Sequence, residues 1–559
     1  MHYELCIMNY ISSQSFSNTK VFKVLNDKDN TGSNPKFTGV AVPVFSLNTQ
    51  NNFGIGEFLD LKPLADWCKK VGMKMIQILP INDTRTDDSW DNSYPYKAIS
   101  TKALHPIYLN LEKLGTLQDE NDRTYFERQK AILKAKDYVD YPEVMKVKDA
   151  YFKKIFAQDW DSTKNTEGFQ TFFEENKDWL VPYAVFCSQQ PTANSQQQEF
   201  HYFLQYHLDK QLKNAVDYLH ENGIALKGDI PIGIGRHSVE AYSNPELFNL
   251  DCQAGAPPDA FATEGQNWGF PTYNWDAMAN DNYQWWRDRL TQMSRHFDAY
   301  RIDHILGFFR IWEIPYEYTQ GIMGHFSPAL SYQLSAVSCQ LSASYERLTK
   351  PYIRGHFLHE YFGEFTEEVR DKYLNETSFS YFELKEEFNT QRKITDSFDN
   401  SQQSTVNSHK YEKIKNGLIA LCAEVLFVED KNGGLHPRIA LQFTHSYNEL
   451  EEYQKNEINR LYDDYFYHRN EELWKEEALK KLPKIIEASD MLVCGEDLGM
   501  VPACVPEVMQ QLEILSLEVQ RMPKNPSETF VNPKKNPYLS VDTTSTHDTS
   551  TLRGWREEN

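Results

Sequence analysis

The chain has 559 residues, with 80 acidic against 58 basic side chains and a formal charge of −22. Nucleic acid and anionic membranes both call for concentrated Lys and Arg, so this balance argues against either as a partner. Hydrophobic residues at 40% and charged residues at 25% fit a soluble protein with an ample core, and no apolar run reaches the roughly 18 residues of a membrane span. The eight cysteines are scattered and contain no C-x-x-C pair, which points to a reduced, intracellular chain and away from a zinc site. Met1–Asn18 lacks a basic stretch followed by an apolar one, so no signal peptide is expected and the default compartment is the cytosol.

Residues 1–36 are polar and turn-rich. Asp27, Asp29 and Thr31 ahead of Gly32 imitate a calcium loop, but the position that needs a bidentate Glu is Thr38. A linker or N-terminal extension is the expectation there. From Gly39 a rhythm sets in of short apolar runs, polar residues at their C-terminal ends, and helical patterns between them. The runs are Val40–Phe45, Met73–Pro80, Ile224–Gly233, Ala299–Asp303, Met491–Asp497, Leu515–Met522 and Tyr538–Asp548. Buried runs alternating with helices predict parallel strands joined by right-handed crossovers. The fold class is therefore α/β, a (β/α)8 barrel with its active site on the C-terminal rim and a catalytic unit spanning 37–559.

Two intervals, about 81–223 and 304–490, are too long for ordinary crossovers and predict inserted helical subdomains. Within the second, Leu450–Ile486 carries Ile458, Leu461, Tyr462, Tyr465 and Phe466 at helical spacing, a core-facing stripe. Gly233 and Gly235 lack the third glycine of a dinucleotide loop, since residue 238 is Ser. His207, His237 and His304 do not have metal-ligand spacing. No metal or cofactor is called for.

Three carboxylates fall at predicted strand ends: Asp303, Glu496 and Asp548. Each alone would suit a helix N-cap. Together they suit retaining glycoside chemistry, which needs a carboxylate nucleophile and a protonated carboxylic acid about 5–5.5 Å apart. Arg301, two residues before Asp303, points to the same side of the strand and is expected to lower that aspartate's pKa and keep it ionised. Glu496 must instead hold a proton, through burial or a nearby negative charge.

The segments Gly39–Phe45, Ser93–Tyr96, Gly228–Ile232, Gly255–Asp259, Gly265–Gly269, Tyr300–His304, Gly495–Gly499 and Thr546–Asp548 occur in an order that closely resembles the 4-α-glucanotransferases, the amylomaltases or disproportionating enzymes. That resemblance implies Asp303 as nucleophile, Glu496 as general acid/base and Asp548 as the carboxylate that distorts and stabilises the sugar ring. It implies Arg301 and His547 at the donor sugar, Tyr96 as its aromatic face, and a loop over the acceptor from Gly255 to Trp268. Asp229, Asp259, Gln266, Trp268 and His304 are the further substrate contacts it implies. The long interval between Asp303 and Glu496 resembles the plant-type cytosolic subgroup, whose starch-binding modules have no counterpart in the 36 residues ahead of the barrel.

The expected activity is transfer of glucosyl or maltooligosyl units between α-1,4-glucans such as maltose, maltodextrin or glycogen. An α-glucan hydrolase of the same barrel and an inactive glycan-binding fragment are the alternatives. The sequence stops shortly after Asp548, so the last strand and helix of the barrel are expected to be missing from it.

Overall fold

The computed structural model describes residues 19–25, 36–87, 89–188, 196–259, 262–399, 408–525 and 527–558. All seven anticipated strands are present: β1 (Gly39–Ala41), β2 (Met75–Gln77), β3 (Ala225–Ile230), β4 (Ala299–Ile302), β5 (Leu492–Gly495), β6 (Ser516–Val519) and β7 (Ser540–Thr543). β1 to β5 pair in parallel in chain order, and β6 pairs in parallel with β7. A parallel bridge between Cys494 and Leu515 joins the two groups. β3 and β4 are buried along their whole length, as strands covered on both faces must be.

Helices α1 (Lys20–Leu25), α2 (Leu61–Val71), α3 (Glu120–Lys134), α4 (Tyr141–Thr163), α5 (Glu167–Ser188) and α6 (Gln196–Glu221) come next in chain order, followed by α7 (Gln284–Met293). α2 ends at Gly72, whose φ of 80° is the left-handed C-cap that glycine adopts without strain. The residues expected to form a linker include α1, a helix the composition did not reveal. Its Val21 and Leu25 are buried against Ala225, Ala299 and Leu492, the first residues of β3, β4 and β5. α1 therefore closes the N-terminal mouth of the barrel, and Lys20 Nζ donates to the carbonyls of Ser294 and Phe297. Most of the calcium-loop imitation, residues 26–35, lies outside the described residues.

The first inserted segment is helical, α3 to α6. In the second, helices α8 (Glu452–Tyr467) and α9 (Glu471–Ile486) carry the predicted stripe, with Ile458, Leu461, Tyr465 and Phe466 buried. The second insertion also contains antiparallel strands of two to five residues, too short for periodicity to expose. Ile353–Arg354, Leu374–Ser378 and Tyr381–Leu384 form one such sheet over a separate core that includes Phe357, Phe362 and Leu418.

One buried ion pair ties the first insertion to the barrel rim. Lys148 on α4 reaches Glu57, just beyond β1, at 2.6 Å, and neither side chain is exposed. Lys148 Nζ also donates to the carbonyls of Ile107 and Leu109, while Asn110 Nδ2 donates to the second Glu57 oxygen at 2.6 Å. Each donor and acceptor has a partner, which is what makes a buried charge tolerable. Lys148→Met leaves Glu57 buried without its counter-charge and is expected to cost about 3–5 kcal/mol. Urea unfolding of this variant beside Lys148→Met/Glu57→Gln checks it. The double variant should recover part of the loss, and an unchanged midpoint in the single variant would refute the role.

Candidate active site

β3 and β4 pair so that Asp229 stands opposite Arg301. Arg301 is only 7% exposed. Its Nη1 donates to both oxygens of Asp229 at 2.9 and 3.0 Å, and its Nη2 lies 2.8 Å from Asp303 Oδ1. A planar guanidinium can span two carboxylates in this way where an ammonium cannot. The Tyr96 hydroxyl donates to Asp229 at 2.7 Å and meets His547 Nε2 at 2.8 Å, and the Tyr96 and His547 rings stack at 5.5 Å. Asp229, Arg301, Asp303, Tyr96 and His547 thus form one connected cluster on the C-terminal rim.

Glu496 lies beside it. β4 and β5 pair with Ile302 opposite Gly495, so Asp303 and Glu496 occupy the next position on neighbouring strands. The Glu496 amide donates to the Ile302 carbonyl at 2.9 Å, which carries the ladder one step further. Adjacent strands are about 4.8 Å apart, so the two carboxyls spring from neighbouring backbone positions, a placement compatible with a retaining pair. Glu496 Oε2 accepts from the His304 amide at 2.8 Å and Oε1 from the Leu498 amide at 2.9 Å. His304 presents that amide from a left-handed backbone, φ 49°, that a non-glycine residue adopts only under constraint.

The charge environment differs from the expectation for Asp303. Arg301 does pull its pKa down, but burial, with the charges of Asp229 and Glu496, outweighs that contact and pushes Asp303 up to about 7. Burial likewise raises Glu496, against Arg301 and its two backbone donors. When Glu496 is protonated its contribution to Asp303 vanishes, so the carboxyl that touches the guanidinium ionises first. Burial lowers His304 to about 4, with Arg310 and Arg301 adding to the effect, so its imidazole is neutral.

The segment expected to cover the acceptor is an antiparallel hairpin. Cys252–Ala256 pairs with Gln266–Asn267 on one side and with Ile311–Pro315 on the other. A Cβ on Gly255 would stand 2.1 Å from the Gln266 carbonyl, so only glycine allows the two strands to approach. Trp268 meets the His304 ring edge-on at 4.9 Å, and its indole N–H donates to Gln266 at 2.9 Å. Gln266 and Asp259 are exposed, and Asp259 accepts from the Ala262 amide within the loop.

Asp548 departs from its expected setting. β7 ends at Thr543, so His547 and Asp548 lie in the turn that follows, and the Asp548 side chain is 70% exposed. Its nearest anchor is His547, at 3.4 Å. Tyr94 was not singled out from the sequence. It is 59% exposed, stands 5.6 Å from the Tyr96 ring, and lies in the field of both Asp303 and Asp548. Two aromatics flanking Pro95 were the available signal.

A family model described as 4-alpha-glucanotransferase matches residues 42–197 and 188–559. The chain belongs to the 4-alpha-glucanotransferase family. It is 42% identical over 550 residues to the 4-alpha-glucanotransferase DPE2 of Oryza sativa subsp. japonica, an alignment covering 93% of this chain and 58% of the relative. It is 35% identical to the 4-alpha-glucanotransferase of Chlamydia muridarum over 54% of this chain and 60% of that relative. The chain thus spans less than two thirds of the length of these relatives. An amylomaltase from Corynebacterium glutamicum shares the fold at a TM-score of 0.58 and 17% identity, over 96% of this chain and 57% of that one. An amylomaltase from Streptococcus agalactiae, solved with acarbose, also gives 0.58 and 17%, over 93% and 81%.

The geometry generates a pH prediction. Asp229 raises Asp303 and also occupies one side of Arg301. Asp229→Asn removes that charge and lets the guanidinium favour Asp303, so the folded pKa of Asp303 falls. If turnover needs ionised Asp303, the acidic limb of kcat/KM moves to lower pH. A pH profile of the variant checks this, and a limb that stays put or moves up would contradict the assignment.

Proposed function

We propose that this chain transfers glucosyl or maltooligosyl units between α-1,4-glucans by a retaining double displacement. The observation that carries this reading is the adjacent-strand placement of Asp303 and Glu496, with Arg301 bonded to the first and backbone donors holding the second. In the first step Asp303 attacks the anomeric carbon as Glu496 gives its proton to the glycosidic oxygen, releasing the shortened glucan. In the second, carboxylate Glu496 takes the proton of an acceptor hydroxyl as that oxygen displaces Asp303. Both residues return to their starting states, with no group consumed.

The cluster of Tyr96, Asp229, Arg301 and His547 supplies hydroxyl-binding groups on the donor side, and Asp548 extends it through His547. The Gly255–Trp268 hairpin, braced by Ile311–Pro315, supplies the acceptor side. An acceptor sugar held there competes with water through effective concentration, which favours transfer over hydrolysis. The names of the rice and chlamydial relatives support the same activity. In this reading maltose or maltodextrin is the donor and glucose or a larger glycan the acceptor. A cytosolic setting accords with the seven free cysteines among the described residues.

Asp303→Asn removes the nucleophile and is expected to lower maltose turnover by at least about a thousandfold, several kcal/mol of barrier. Turnover above about a tenth of the parent level would reject Asp303. Glu496→Gln should collapse transfer from maltose while retaining much of the first step with α-glucosyl fluoride, whose leaving group needs little protonation. Equal losses on the two donors, measured by product profiling and fluoride release, would mean that Glu496 is not the acid.

A further inference from the structure

Residues 316–320, the turn after Ile311–Pro315, belong to no helix or strand, so their backbone groups must find partners elsewhere. On one side the partners come from the hairpin over the site. Gln253 Nε2 donates to the Tyr318 carbonyl at 3.0 Å, and Asn267 Nδ2 to the Thr319 carbonyl at 3.2 Å. On the other side they come from the second insertion, at the start of the helix Gln391–Asp399, which buries Ile394 and Phe398 in the separate core. Gln391 Oε1 accepts from the Thr319 and Gln320 amides at 2.9 and 3.1 Å. Arg392 Nε donates to the Tyr316 carbonyl at 2.6 Å, and the Arg392 amide to the Glu317 carbonyl at 3.0 Å.

Gln391 is fully buried, and both ends of its amide are used. Its Nε2 donates to Gln320 Oε1 at 3.0 Å and to the Ile419 carbonyl at 3.2 Å. Two backbone N–H groups at one end and a backbone carbonyl at the other fix which end is oxygen. An apolar side chain of the same size would fill this space. Only an amide gives the turn an acceptor and the insertion core a donor at once. The contacts then continue to the indole. Asn267 Oδ1 accepts from the Gly269 amide at 2.9 Å, so the Asn267 side chain brackets Trp268. A Cβ on Gly321 would stand 2.6 Å from the Gln266 amide nitrogen, so the end of the turn lies directly against the hairpin backbone.

We propose that Gln391 is a positioning residue for the acceptor: from within the second insertion it sets the Asn267–Trp268 end of the hairpin, and with it the share of glycosyl-enzyme that passes to a sugar and not to water. This inference rests on the function proposed above. In the second half-reaction the oxygen of a sugar hydroxyl or of water bonds to the anomeric carbon, the ester bond to Asp303 breaks, and the released proton passes to Glu496. The two routes differ in whether the nucleophile is held. A sugar misplaced by about 1 Å loses much of its effective concentration, whereas water, which the hairpin does not hold, loses none.

The test uses the full chain with radiolabelled α-glucosyl fluoride as donor and unlabelled glucose as acceptor. The first-turnover rate of fluoride release reports the first step, and the initial ratio of labelled maltose to labelled glucose reports the partition. Gln391→Met keeps the volume and loses the hydrogen bonds. It should release fluoride within about twofold of the parent rate while the ratio falls about tenfold and the glucose needed for half-maximal transfer rises. Asn267→Ala cuts the same link without touching the insertion core and should shift the ratio in the same direction, which decides the matter if Gln391→Met does not fold. Ile394→Val, a core truncation in the same helix, should lower the melting temperature and leave the ratio unchanged. An unaltered ratio in Gln391→Met, or in Asn267→Ala where the first variant does not fold, overturns the proposal. So does an equal fall in fluoride release and transfer, or the same shift in Ile394→Val, since either means a purely structural role. A parent chain that releases fluoride and forms no labelled maltose overturns the proposed function, and the role of Gln391 with it.

Discussion

A guanidinium withdrawn from water has to be compensated on every side, and the catalytic rim is arranged around that requirement at Arg301. Asp229 takes one edge of its fork and Asp303 the other. Because the two carboxylates come from neighbouring strands, the ion cluster also fixes the register of the barrel wall at the site. Tyr96 then finds its acceptor on Asp229, and His547 finds its stacking partner on Tyr96. Removing the cation would leave buried carboxylates facing each other, and their repulsion would loosen each of these contacts in turn. Asp548, furthest along this chain of contacts and in the turn after β7, is the least enclosed of the three acids.

Much of this was legible in the residues themselves. Parallel strands covered on both faces must be apolar runs, so β3 and β4, buried along their whole length, announced themselves, and the alternation with helical patterns marked the other five. Asp303 and Glu496, at the ends of two such runs, could only face the rim. Other features left no periodic trace. α1 is six residues of an ordinary-looking polar extension, and only its burial of Val21 against the strand starts identifies it. The turn carrying Asp548 reads as more strand because Thr and Ser suit both. The pKa of Asp303 could not be judged from Arg301 alone, since desolvation and two further carboxylates come from residues distant in sequence.

The Gly255–Trp268 hairpin, proposed above as the acceptor side, shows how an insertion can act on a site without supplying a catalytic group. Cys252–Ala256 would be a loose edge after β3, but Ile311–Pro315, at the start of the second insertion, pairs with it along its length. Trp312 Nε1 donates to the Gly321 carbonyl at 2.7 Å, and the Ile322 amide donates to the Glu264 carbonyl at 2.8 Å, so the insertion also pins the base of the hairpin. A loop proposed to receive a sugar is better placed on such a scaffold than left free, because ordering it on binding would consume part of the interaction energy.

Glu496 presents an apparent conflict, and its resolution separates orientation from proton affinity. Two backbone N–H donors favour its ionised form, yet the first step of the proposed mechanism needs its proton. Burial is the larger influence and keeps the pKa raised. The donors therefore contribute less to the charge state than to direction: with one oxygen tied to His304 and the other to Leu498, the carboxyl plane cannot rotate. After the first step of the proposed mechanism the same two donors stabilise the carboxylate that would accept the proton of the incoming hydroxyl. One fixed geometry could then serve an acid in one half-reaction and a base in the other, which is what the proposed transfer, returning its catalyst unchanged, requires.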